Sequence, residues 1–435
     1  MSQKVVLAYS GGLDTSVAIR WLQETYGMDV IALTIDVGNE RDIASVVARA
    51  RQIGAARALT VDARSEFLNY FVWPALQAGA IYEGSYPLAT ALARPLIAKL
   101  LVDVARSEGA SAVAHGCTGK GNDQVRFDVS IMALAPDLQI IAPVREWSMT
   151  RDAEIAYAQE HGIPVAATSA SPYSVDANLW GRSVECGILE DPWVEPPADI
   201  WDWTADPATA PAEAAEITIT FERGVPVALN GERLDAVTLV QRLNALAGAH
   251  GIGRIDHVEN RLVGIKSREV YEAPAAITLF TAHRALEKLT LSRDQARVKE
   301  LFAGEYARLI YNGLWYSALH GDILAFVRSS QQYVSGEVRL KLCRGVCAVV
   351  GSRSPHSLYQ HALATYEQGD TFDHKSALGF IALWGLPVKT QAQAQLLKGS
   401  EGDTPAPQLA PGESANTPFP NVTALKSFAQ PLTED

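Results

Sequence analysis

Ser10, Gly11, Gly12, Asp14, Thr15 and Ser16 stand between an apolar run and a helical pattern, in the string Val-Val-Leu-Ala-Tyr-Ser-Gly-Gly-Leu-Asp-Thr-Ser over 5–16. Residues of these types at this spacing hold phosphate. Two successive glycines let the backbone approach phosphate oxygens with no Cβ in the way. The helix that follows adds unpaired N–H groups and the positive end of its dipole. Ser10, Thr15 and Ser16 supply hydroxyl donors, and Asp14 supplies a carboxylate suited to positioning a magnesium ion. The string is neither Gly-x-x-x-x-Gly-Lys-Ser/Thr nor Gly-x-Gly-x-x-Gly. Its expected chemistry is capture of a departing pyrophosphate, with ATP split between its α and β phosphates.

A second constellation reads His-Gly-Cys-Thr-Gly-Lys-Gly-Asn-Asp-Gln-Val-Arg-Phe over 115–127. Its three glycines favour a tight loop rich in backbone donors, and Asn122 should open a helix. Asn122 and Arg126 are four apart and share a face. Asp123 lies about a hundred degrees round from Asn122. In isolation such a string would be a capped helix with a solvated arginine. Here it follows a strand whose end faces the phosphate loop, which favours a binding role.

The elements that must carry these groups alternate through the first third of the chain. Strand patterns at 4–10, 29–36, 57–61, 111–115 and 139–142 are separated by helical patterns that include 15–26, 41–53 and 89–108. Strand and helix in alternation predict a parallel sheet covered on both faces. Ligands of such sheets bind beyond the carboxyl ends of the strands, where Ser10, Asp36 and His115-Gly116 all fall. Past residue 165 the pattern becomes α+β. It has strands at 217–222, 258–266, 337–343 and 346–350, and helices at 236–249, 275–288 and 294–312. Arg344-Gly345 is expected to turn a hairpin, and the Pro- and Trp-rich segment 191–212 reads as a structured connector. From about 398 the Pro-, Ser-, Thr- and Gly-rich tail reads as disordered. The fold class is therefore α/β: a parallel-sheet nucleotide-binding domain, a second α+β domain, a C-terminal helix and a tail. The expected boundaries are 1–165, 166–375, 376–397 and 398–435.

Composition narrows the partners. The 435 residues are 48% apolar and 20% charged, with a formal charge of −12, and that sign argues against nucleic acid. No apolar run reaches membrane-spanning length, and the N-terminus lacks a basic-then-apolar leader pattern. A cytoplasmic location without membrane partners is expected. Cys117, Cys186, Cys343 and Cys347 are scattered, so neither a disulfide framework nor a zinc site is anticipated.

The first string resembles the PP-loop of the N-type ATP pyrophosphatases. Together with Gly116-Cys-Thr-Gly-Lys-Gly-Asn-Asp-Gln-Val-Arg-Phe127, the chain resembles the argininosuccinate synthase family. The likeness continues through Pro172-Tyr-Ser-Val-Asp-Ala-Asn-Leu179, Leu189-Glu-Asp-Pro-Trp193 and Ile252-Gly-Arg-Ile-Asp-His-Val-Glu-Asn-Arg261, and it ends near 395. That family implies an adenine nucleotide α hydrolase-like fold. It also implies a reaction in which citrulline, aspartate and ATP, with magnesium, give argininosuccinate, AMP and pyrophosphate through a citrullyl-adenylate. A homotetramer assembled with help from the C-terminal helix is implied as well.

Roles follow by resemblance, position by position. Ala8, Tyr9, Ser10, Gly11, Gly12, Leu13, Asp14, Thr15, Ser16, Ile35 and Gly116 are expected to hold ATP. Thr118, Asn122 and Asp123 are expected to hold aspartate, with Asp14 and Asp123 named as catalytic. Tyr86, Asn122, Arg126, Ser174, Ser183, Glu259 and Tyr271 are expected to hold citrulline. Three departures stand out. Ala91 replaces a serine that contacts citrulline in the family, Glu269 replaces a glycine, and Ala275-Ala276 also replaces glycine. Two alternatives are another PP-loop synthetase driven by ammonia, and a weakened or silent nucleotide-binding homologue.

Overall fold

The computed structural model of the protein describes residues 3–38, 42–147, 149–164 and 172–396. The expected disordered tail lies outside the described residues. Residues up to Tyr359 form one compact unit, and Gln360 onward form a second.

The first sheet is parallel: β1 (Lys4–Ala8), β2 (Asp29–Asp36), β3 (Arg57–Asp62), β4 (Ala112–Ala114) and β5 (Gln139–Ile141), in the order β3-β2-β1-β4-β5. β1 is central and both its faces are covered, which is why it reads as an unbroken apolar run. Val5 and Leu7 pack with Val17, Ile19 and Leu22, whereas Val6 belongs to the core on the other face with Phe67 and Leu92. Strand order reverses between β1 and β4, so a crevice opens beyond their carboxyl ends.

The remaining strands are β6 (Ser174–Asn178), β7 (Gly181–Glu185), β8 (Ala215–Glu222), β9 (Val225–Leu229), β10 (Glu232–Arg233), β11 (Arg254–Asn260), β12 (Lys266–Glu272), β13 (Gly336–Cys343) and β14 (Val346–Arg353). They build two antiparallel sheets, β11-β12-β7-β6 and β10-β9-β8-β13-β14. The hairpin at Arg344-Gly345 is present, with Cys343 opposite Val346. Helices Ala236–Ala249, Pro274–Thr290 and Arg293–Tyr311 match their sequence patterns closely.

Two expectations need correction. The strand read over 258–266 is the end of β11, a turn and the start of β12. Arg261 N–H donates to the Ile265 carbonyl, and Gly264 takes a left-handed φ of 86° there. Val263 and Ile265, whose apolar side chains made the segment look like strand, are exposed at that turn. In the second unit, the helix expected over 376–397 is broken. His374–Trp384 ends at Gly385, and Leu386–Gln391 restarts with a proline in its first turn. A wider turn follows over Ala392–Leu396.

Candidate active site

The crevice is a cavity of about 430 Å³, lined by the ends of β1, β2 and β4, the start of the helix Asn122–Leu134, and one face of the β11-β12-β7-β6 sheet. Its first region is the turn after β1. Gly11 adopts φ +77°, and an added Cβ would come within 3.1 Å of Val46. Arg49 donates to the Gly11 carbonyl at 2.6 Å and fixes the turn from the adjoining helix Ile43–Ile53. Gly12 caps the helix Leu13–Tyr26 with no side-chain bond, so the cap supplies no competing acceptor for the N–H groups at that helix start. Ser10 Oγ accepts from Gly12 N–H at 3.3 Å and meets Thr15 Oγ1 at 3.1 Å.

Ala8, Tyr9, Ser10, Gly12, Leu13, Asp14, Thr15, Ile35 and Gly116 all line the cavity. Gly11 and Ser16 do not. The Ser16 hydroxyl is buried against the Tyr9 phenol at 3.1 Å. Glu154, which sequence reading missed, is buried near Asp14 on the helix Arg151–Glu160. Burial, and then the Asp14 charge, push its carboxyl up to about 8. Among the described residues no group of three or more His, Cys, Asp or Glu side chains could hold a metal. A single carboxylate at a phosphate loop suits magnesium that arrives with nucleotide phosphates, and Asp14 fits that pattern.

In the middle of the cavity Asp123 lies between two guanidiniums. Arg126, on the same helix, donates to Asp123 Oδ1 at 2.9 Å, and Arg94 donates to Oδ2 at 2.7 Å while also bonding Asp176. Burial opposes ionisation of Asp123, but Arg94 and Arg126 override it and hold the carboxyl down at about 2. Asp176 lies within the string 172–179 that carries the family likeness, so the signal for it was available, whereas Arg94 stands outside those strings and was missed. Thr118 lines the same stretch.

The far end is aromatic and acidic. Tyr86 stacks on Tyr271 with centroids 4.3 Å apart, and its phenol bonds Thr90 Oγ1 at 2.6 Å. Glu259, almost fully buried, accepts from Tyr271 at 2.7 Å and from Tyr311 at 2.5 Å. Asn122 donates to the Tyr311 oxygen at 2.8 Å, and its own carbonyl accepts from Leu262 N–H at 2.8 Å. Burial pushes the phenols of Tyr86, Tyr271 and Tyr311 upward, so they remain neutral donors. The antiparallel register sets Tyr271 beside Ser183 and Ser183 beside Asp176, and Ser174 lines the cavity one turn of the pleat away. Ala91 is wholly buried and outside the cavity wall, whereas Thr90 is part of it.

The chain is similar to known proteins over nearly all its length. The family described as the arginosuccinate synthase N-terminal HUP domain matches residues 4–164, and the arginosuccinate synthase C-terminal domain matches 173–391. An argininosuccinate synthase of Dehalococcoides mccartyi strain 195 is 59% identical over 404 residues, covering 93% of this chain and all of that relative. Those of Brevibacillus brevis and Geobacillus kaustophilus are 59% and 58% identical. They cover 90% and 89% of this chain, and 93% and 96% of their own lengths.

Proposed function

The chain belongs to the argininosuccinate synthase family, and on that premise we propose that it joins citrulline to aspartate in arginine biosynthesis, converting ATP to AMP and pyrophosphate. The observation that supports the reading is one cavity lined at one end by the glycine turn after β1 and at the other by Tyr86, Arg126, Glu259 and Tyr271.

The chemistry follows from what citrulline lacks. Its ureido oxygen is a poor leaving group. Attack by that oxygen on the α-phosphorus expels pyrophosphate and makes the oxygen part of AMP. The aspartate amine then attacks the ureido carbon, the C–O bond to AMP breaks, and the amine proton is lost. In this reading the turn from Ala8 to Ser16, with Ile35 and Gly116, holds the nucleotide. Preorganised donors facing developing phosphate charge contribute about 3–4 kcal/mol each at comparable sites. Magnesium, when bound with ATP, would be held by Asp14 and would neutralise phosphate charge.

Thr118, Asn122 and Asp123 form the proposed aspartate site. Held at about 2 between two guanidiniums, Asp123 anchors an ammonium group and is a poor proton acceptor. Tyr86, Arg126, Ser174, Ser183, Glu259 and Tyr271 form the proposed citrulline site, with Arg126 for the carboxylate and Glu259 for the ammonium. Because Asn122 is bonded to Tyr311 and Leu262, its part is to tie the two amino-acid sites together.

Assembly as a homotetramer belongs to the same proposal. In support, Leu378, Phe380, Ile381, Leu383 and Trp384 are exposed within the second unit. A cytoplasmic setting is proposed too, supported by four unpaired cysteines. Among the described residues no helix is long and apolar enough to cross a membrane. Incubation with ATP tests the activity: AMP and pyrophosphate should form only when citrulline and aspartate are both present. Release of ADP, or turnover with ammonia alone, would contradict the proposal.

A further inference from the structure

Glu269 lines the cavity from β12. Its Oε2 lies 2.9 Å from the Tyr271 phenolic oxygen, and Glu259 Oε2 lies 2.7 Å from that same oxygen. A phenol has one hydrogen and donates to one acceptor only. The second contact is a hydrogen bond only if the other carboxyl brings a hydrogen of its own.

The surroundings decide which carboxyl does. Glu259 accepts a further phenolic hydrogen, from Tyr311. Glu269 faces Glu259 on β11 and Glu185 on β7. Arg261, in the turn after β11, is the cation that meets it, at 3.2 Å, and is shared with Glu185. His257 stands opposite Glu269 across the ladder, but its ring lies 3.4 Å from Glu83. Arg126, beyond Tyr311, is occupied by Asp123. Burial, with the Glu259 and Glu185 charges, pushes Glu269 up to about 8.

We propose that Glu269 is a specificity-determining residue for the amino group of citrulline, a reading that rests on the citrulline site proposed above. In the free enzyme its carboxyl donates to the Tyr271 oxygen. When the substrate ammonium enters, Glu269 loses that proton to solvent and receives the ammonium jointly with Glu259. A neutral competitor gains nothing from this exchange, so the pair selects for a charged amine. Citrulline affinity then rises with pH up to about 8, by at most about tenfold per pH unit for one proton.

The test is titration calorimetry at pH 7 on the intact enzyme, in two buffers of different ionisation enthalpy. An α,β-methylene ATP analogue is present so that binding is not followed by chemistry. Citrulline should release close to one proton from the unmodified enzyme and almost none from E269Q. The analogue lacking the α-amino group should release none from either. The citrulline KM should fall between pH 6 and 8 in the unmodified enzyme and stay flat in E269Q. Equal proton release from both enzymes would overturn the proposal. If instead E259Q and Y271F bind citrulline as tightly as the unmodified enzyme, the underlying site reading fails.

Discussion

Arg94 donates to Asp123 at 2.7 Å, joining the helix Ala89–Glu108 to the first turn of the helix Asn122–Leu134 inside the cavity. The bond makes Asp123 a fixed charge. Charged hydrogen bonds of this kind contribute about 1.5–3 kcal/mol. D123N should raise the aspartate KM by about ten- to a hundredfold and leave the ATP KM within a factor of about two. Steady-state kinetics varying each substrate check this, and equal loss for both substrates would remove Asp123 from the aspartate site.

Asp123 also sets an acid limit. Its folded-state value of about 2 lies below the ordinary carboxylate value. Its contribution to stability is therefore present above pH of about 4 and lost as pH falls towards 2. Acid unfolding followed by circular dichroism should show less dependence on pH over that window in D123N.

Glu154 behaves in the opposite sense. With its carboxyl raised to about 8 by burial and by Asp14, the folded state binds its proton more tightly than the unfolded chain does. Stability is thus lost as pH rises from about 4 towards 8. E154Q is neutral at every pH, so its melting temperature should exceed that of the unmodified enzyme at pH 9 and converge with it at pH 5.

Thr90, rather than Ala91, lines the cavity. Ala91 is buried away from the cavity, and Thr90 bonds the Tyr86 phenol. A91S should leave the citrulline KM unchanged and lose stability, because a buried hydroxyl without a partner costs about 1–3 kcal/mol. T90V should raise the citrulline KM several-fold with stability nearly kept. Kinetics and urea unfolding on both variants separate the two effects.

G11A probes the phosphate turn. A left-handed residue with a Cβ costs about 1–2 kcal/mol, and the added carbon also meets Val46 at 3.1 Å. The ATP KM should rise more than either amino-acid KM. A uniform fall in kcat alone would not fit.

The phosphate turn was legible because its parts are consecutive: a doubly buried strand, two glycines and a helix start, each with a local signature. The helix at Asn122 was legible for the same reason. Tyr311 was not, since it meets Asn122 across 189 positions of chain and lies in an amphipathic helix like any other. The β11–β12 hairpin was hidden by exposed Val263 and Ile265, which continue an apolar pattern through a turn. Glu154 carries no motif, and only the fold brings it to Asp14. What stayed illegible are contacts between separate elements, and most of the charge balance of the site consists of those.

The central claim is that citrulline's ureido oxygen takes the adenylyl group while pyrophosphate leaves from the turn after β1. Turnover of citrulline labelled with heavy oxygen on the ureido group, with mass analysis of the AMP, tests it most directly. One labelled oxygen per AMP is the predicted result. Unlabelled AMP would contradict the mechanism.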